Sequence, residues 1–272
     1  EAHRLLGLSY AWQGSSRKSL EHFRFVQDFF DPEQDRDLAL IYGQNHLVSS
    51  YSLGASPLAL MGFSDQSKVF LEKGLAEAHV SDHIYSIAYA LTTPLIKNVC
   101  LREYSEALSK SENVIILCEE NNIPFYLGFS GVFNGFAMAK QGNLDEGIQK
   151  IRQYLALYER TGSGMFLPFF DTLLAEVLLQ KGESNESRDL LEFARERTEE
   201  WGEAFYYAET LRVLGDLELL SPESDSAAAE RRYQQALAAA RTSELRVWEL
   251  RTATSLARLS QSQSKIKEAY EL

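Results

Sequence analysis

Along most of this chain a small residue returns about every 40 positions, each time five residues after a position suited to a turn. Gly14 pairs in this way with Ser19, Gly62 with Ser67, Arg102 with Ala107, Gly142 with Gly147 and Gly182 with Ser187, and Ala229 and Ala269 continue the series. The steps between the small residues are 48, 40, 40, 40, 42 and 40. A fixed period of this length marks a stack of short supersecondary units, each of which needs its neighbours to bury its apolar face. Such arrays present a long surface to something else, so binding is expected before chemistry.

Repeat four is the clearest copy. In "FSGVFNGFAMAKQG" the apolar residues Phe129, Val132, Phe133, Phe136 and Ala137 fall on one helical stripe. Gly142 stands where that helix must stop, in a position where glycine takes a left-handed cap at little cost. Asn143 fits as the N-cap of a second helix carrying Ile148, Ile151, Leu155 and Tyr158. Gly147 then faces the first helix and permits close approach. Repeat three follows the same plan, with Pro94 predicting a kink or a late start in its first helix. In repeat one, Leu6, Gly7, Tyr10, Ser19 and Phe23 match the tetratricopeptide pattern, with Ser in place of Ala. The sequence predicts an all-α fold: a right-handed superhelical solenoid of about seven tetratricopeptide-like helix hairpins, forming one domain over residues 1–272.

Composition narrows the function. The 272 residues carry a net charge of −12, which disfavours a surface for nucleic-acid backbone. The charge is uneven: residues 231–267 hold eight basic and two acidic residues, +6, which leaves −18 for the remainder. These arginines either bridge neighbouring repeats or form a docking face. No apolar run is long enough to span a bilayer and no signal peptide leads the chain. The two cysteines, Cys100 and Cys118, fall near opposite ends of antiparallel helices, too far apart for a disulfide, so reduced core thiols and a cytoplasmic setting are expected. Both termini read as cut inside helical patterns, and the chain is expected to be a piece of a larger protein.

The motifs that could carry chemistry are weak. "GNLDEGIQ" opens like a phosphate loop, but Ile148 stands where the lysine belongs and both glycines are explained by the repeat. His79 and His83 have metal-pair spacing without a third ligand. No nucleophile elbow, paired C-x2-C or dinucleotide fingerprint is present. No cofactor, metal site or catalytic residue is expected.

Aromatic residues recur near the start of the first helices: Tyr85 and Tyr89, Phe125, Tyr126 and Phe129, Phe166, Phe169 and Phe170, then Phe205, Tyr206 and Tyr207. Adjacent rings cannot all point one way, so some belong to the core and others line a groove. The 48-residue step places extra residues within "DPEQDRDLALIYGQNHLVSSYS", where Tyr42 to His46 enter the groove side or cap one repeat. The groove candidates are therefore Tyr42, Gln44, Asn45, Tyr85, Tyr89, Tyr126 and Phe129.

The strings "DPEQDRDLALIYGQN", "MGFSDQS", "AKQGNLDEGIQKIRQ", "AETLRVLGDLELL", "RRYQQALAAAR" and "WELRTATSLARL" together resemble the C-terminal tetratricopeptide region of large bacterial signalling ATPases. The resemblance covers nearly the whole chain. It implies a non-catalytic sensor or scaffold arm that binds a protein partner, another domain of the same polypeptide or a small-molecule inducer. It also implies regulation of an upstream NTPase, cyclase, kinase or transcription-activator domain. No direct nucleic-acid or membrane contact is implied. The competing reading is a structural spacer or oligomerisation arm that uses the basic C-terminal helices for docking.

Overall fold

A computed structural model describes residues 1–35, 37–220 and 224–265. The chain divides into two compact units, Glu1–Gly164 and Met165–Leu272. The first contains α1 (Ala2–Trp12), α2 (Ser16–Phe29), α3 (Leu38–Tyr42), α4 (His46–Leu60), α5 (Ser64–Ser81), α6 (Ile84–Cys100), α7 (Tyr104–Glu120), α8 (Pro124–Lys140) and α9 (Leu144–Glu159). The second contains α10 (Leu167–Lys181), α11 (Ser184–Trp201), α12 (Tyr207–Leu220), α13 (Ser226–Thr242) and α14 (Arg246–Ser262). Every regular element among the described residues is helical.

The 40-residue period resolves into a 20-residue one. From Gly62 to Gly202 a left-handed residue closes each helix in turn: Gly62, Asp82, Arg102, Asn122, Gly142, Gly162, Gly182 and Gly202 all have positive φ. After the leading helices α1, α4, α6, α8, α10 and α14 the cap has one form. The Gly62 N–H donates to Ala59 O at 3.0 Å and the Phe63 N–H reaches back to Leu58 O at 2.8 Å. The same pair of bonds recurs at Gly14, Arg102, Gly142, Gly182 and Ser264, and satisfies carbonyls that a helix end would otherwise leave open. Asn143 does occupy the N-cap of α9, but its side chain makes no capping bond. Its main-chain N–H is spent on Met138 O.

The small residues five positions later sit where paired helices touch. Ser19, Ser67 and Ser187 are fully buried, and each hydroxyl donates to the carbonyl twelve residues back, on Gly7, Ala55 and Ala175 at 2.8, 2.7 and 2.9 Å. Between α8 and α9 the approach is closer still. A Cβ on Gly147 would fall 2.6 Å from both Ala139 Cβ and Gly135 O, so glycine is required by packing rather than by its own dihedrals. Ala269 and the second helix expected for repeat seven lie outside the described residues.

Two sequence expectations change in detail. α6 begins at Ile84 and runs through Pro94 to Cys100, so its start is not late. The long step accommodates α3, a five-residue helix closed by left-handed Gly43, with Leu40 and Ile41 exposed. Cys100 and Cys118 are buried free thiols, and burial pushes Cys118 up to about 12. Among the described residues, no helix is long and apolar enough to cross a membrane.

Candidate functional site

In the first unit α4, α6 and α8 pack side by side, and α3 delivers the chain to their leading ends. Gly43 turns the backbone at φ 72°, and Asn45 then starts α4. Every polar group of Asn45 is engaged locally. Its Oδ1 accepts from the N–H groups of Leu47 and Val48 at 2.9 and 3.0 Å, its Nδ2 donates to Glu77 Oε1 at 3.0 Å, and its main-chain N–H donates to Ser86 Oγ at 2.9 Å. Asn45 thus ties α4 to α5 and α6.

The neighbouring Gln44 reaches across to α8, where its amide Nε2 donates to the Tyr126 hydroxyl. Its Oε1 is buried and has no partner among the described residues. The Tyr89 ring, from α6, meets Tyr126 edge-on with centroids 6.1 Å apart, and Ser49 Oγ lies 3.5 Å from the Tyr89 hydroxyl. Burial raises the pKa of both phenols. The charge of Arg4, from α1, acts on both phenols in the opposite sense. Arg4 is itself buried and grips Glu1 through Nε at 2.7 Å and Nη2 at 2.5 Å. The same Glu1 carboxylate lies 2.8 Å from His46 Nε2, and burial lowers the His46 pKa, which favours its neutral form.

The structure therefore brings Gln44, Tyr89 and Tyr126 together with Ser49 beside Tyr89, and it joins Arg4 and His46 through Glu1. It sets the other candidates apart. Phe129 is only 3% exposed and packs against Phe133 at 5.0 Å and Tyr158 at 6.3 Å, so its ring belongs to the core. Tyr42 and Tyr85 are exposed; Tyr42 lies against His46 and Tyr85 against His83. Sequence reasoning missed Arg4, although a lone arginine inside the apolar stretch "AHRLLGL" was a usable signal.

The second unit holds a different polar group. Arg212 on α12 binds Glu209 at 3.0 Å and Asp216 beside it. Arg251 from α14 reaches the same Glu209 at 3.0 Å, and the Tyr233 hydroxyl donates to Asp216 at 2.6 Å. Glu209, 1% exposed, and Arg212 are both buried. Nearby, Glu203 turns inward from the segment between α11 and α12 onto the Phe166 N–H, and burial raises its pKa to about 7. The aromatic residues Phe166, Phe169, Phe170, Phe205 and Tyr206 are all buried, so in this unit they form core and not a groove.

The basic C-terminal residues are largely paired. Besides Arg251, Arg232 binds Glu192 at 2.8 Å, Lys265 binds Glu230 at 3.3 Å, and Arg241 and Arg246 share Glu249 at 2.9 and 2.5 Å. Lys267 lies outside the described residues. No group of three or more His, Cys, Asp or Glu among the described residues is placed to hold a metal ion.

No protein-family model matches the chain, and no curated protein matches it. Solved structures do. The apo form of RapI aligns with a TM-score of 0.61 at 12% identity, over 99% of this chain and 93% of that one. Aspartyl phosphate phosphatase F from Bacillus subtilis aligns at 0.60 and 12% identity, over 97% of this chain and 66% of that one. A signal transduction ATPase with numerous domains from Pyrococcus horikoshii, described with a tetratricopeptide repeat sensor, aligns at 0.52 and 12% identity, over 96% of this chain but 38% of that one. This chain therefore spans less than two thirds of the length of the last two. At this identity the likeness shows the fold: an all-α solenoid of tetratricopeptide-like helical hairpins.

Proposed function

We propose that this chain is a non-catalytic sensor and interaction array whose leading helix ends in the first unit bind a protein segment or small inducer. In the full polypeptide, binding there regulates an NTPase, cyclase or other output domain. The observation that carries this reading is the convergence of Gln44, Tyr89 and Tyr126 from three different segments, with Gln44 Oε1 buried and unpartnered among the described residues. A buried acceptor without a donor costs free energy, and a ligand N–H or O–H at that point recovers it. The alignment with a protein described as carrying a tetratricopeptide sensor agrees with this reading.

The competing docking-face reading has less support, since five basic residues of that segment already hold acidic partners within the unit. The test is a thermal-shift screen against peptides, nucleotides and metabolites, because a ligand selective for the folded state raises its apparent stability. A saturable shift that shrinks in Gln44→Ala supports the site. A shift identical in that variant places binding elsewhere.

A further inference from the structure

A cavity of about 580 Å³ opens in the first unit between α5, α6 and α7, away from the Gln44–Tyr126 cluster. Its volume falls in the range of small-molecule sites. The floor is apolar, made by Leu71 and Leu75 of α5, Leu91 and Pro94 of α6 and Val114 of α7. The sequence explains why the space is empty. Forty residues after Leu91 and Val114 stand Gly131 and Tyr154. There the Tyr154 ring lies directly over the glycine, with Cγ only 2.0 Å from where a Cβ would be. Repeat three has a valine at that position of α7 and a side chain on α6, so no ring covers the equivalent ground.

The walls carry both signs of charge, but at different depths. Lys97 lines the cavity with its side chain 17% exposed, and its partner Glu103, 2.7 Å away, is not part of the lining. The lining acids Asp65, Glu72 and Glu106 are exposed, as is the lining base Lys68, and Lys110 pairs with Glu106 at 2.6 Å. Charges open to water are screened, whereas a charge at the edge of an apolar cavity acts at much lower effective dielectric. Lys97 is therefore the lining charge that acts most strongly inside the cavity, in a pair with Glu103. We propose that this cavity is a binding site for a small amphiphilic carboxylate. The hydrocarbon lies on Leu71, Leu75, Leu91 and Pro94, and the carboxylate shares the Lys97 ammonium with Glu103.

The test is isothermal titration of the whole chain with octanoate, octanol and octylammonium, using wild type, Lys97→Met, Leu71→Trp and Gln44→Ala. Octanoate is expected to bind saturably, and octylammonium at least about tenfold more weakly. Lys97→Met should reduce octanoate to the affinity of octanol, Leu71→Trp should abolish binding by filling the space, and Gln44→Ala should leave it unchanged. Absence of saturable octanoate binding overturns the proposal, as does octanoate affinity untouched by Lys97→Met. Equal binding of octylammonium overturns the chemical class. If Leu71→Trp fails to fold, the Lys97→Met and octanol comparisons still decide. Loss of octanoate binding in Gln44→Ala would place the ligand in the other cluster and overturn this site.

Discussion

Glu203 closes the start of α10 by placing both carboxylate oxygens on the main-chain N–H of Phe166, at 3.0 and 3.2 Å. The Phe166 backbone is left-handed, at φ 67°, so the chain entering α10 relies on this contact to fix an unfavourable conformation.

Burial raises the Glu203 pKa to about 7 from an ordinary 4.5. Below the ordinary value both folded and unfolded states hold the proton. Between the two values only the folded state holds it, so stability falls as pH rises through this window. Glu203→Gln keeps an oxygen for the Phe166 N–H and removes the charge. Denaturant titrations from pH 5 to 8 should show a decline in wild type that is flattened in the variant. The variant should be more stable at pH 8, by up to about 3 kcal/mol.

Phe129 and Gln44 separate core from site. Phe129→Ala should cost about 3–5 kcal/mol, because a buried ring is replaced by a cavity. Gln44→Ala should cost under about 1.5 kcal/mol, since it removes one hydrogen bond to Tyr126 together with an unsatisfied oxygen. Chemical denaturation of the two variants checks the ranking, and equal losses would contradict the assignment of Phe129 to the core.

The second unit contrasts a buried charge with an exposed one. Arg212→Ala leaves the buried Glu209 with Arg251 and strips Asp216 of its arginine, and should cost about 3–5 kcal/mol. Arg246 is 67% exposed, and Arg246→Ala should change stability by less than about 0.5 kcal/mol. Thermal melts of both variants measure the difference.

Arg102 occupies a left-handed cap, φ 63°, where the equivalent caps at Gly62, Gly142 and Gly182 are glycine. A left-handed L-residue costs roughly 1–2 kcal/mol, and glycine loses roughly 0.4–1 kcal/mol through a freer unfolded chain. Arg102→Gly should therefore stabilise the protein by under about 1 kcal/mol, seen as a small rise in the denaturant midpoint at unchanged slope.

The repeat was legible because its punctuation is local. A residue able to take positive φ, followed five positions later by a small one, records a cap and a close helix contact in the sequence itself. That pattern located Gly142 and Gly147 and flagged Arg102, a residue type that does not announce a left-handed turn. Which aromatic ring faces which way was not legible. Phe129 and Tyr126 lie three apart on α8, and only the packing of Tyr158 and the reach of Gln44 distinguish them. Nor could the sequence show that Asn45 is used up in holding α4, or that Arg4 and His46 meet at Glu1. Those relationships arise from hairpins stacking: the spacings of 41 for Asn45–Ser86 and 82 for Gln44–Tyr126 follow the repeat, but the repeat does not say which side chains meet.

The central claim is that the Gln44–Tyr89–Tyr126 cluster is a ligand site. The most direct measurement is a parallel thermal-shift screen of wild type and the Gln44→Ala/Tyr89→Phe double variant against one library of peptides, nucleotides and metabolites. At least one compound is predicted to raise the wild-type transition saturably and to lose most of that effect in the double variant. Shifts of equal size in both proteins for every compound that responds, or none in either, would contradict the Gln44 site.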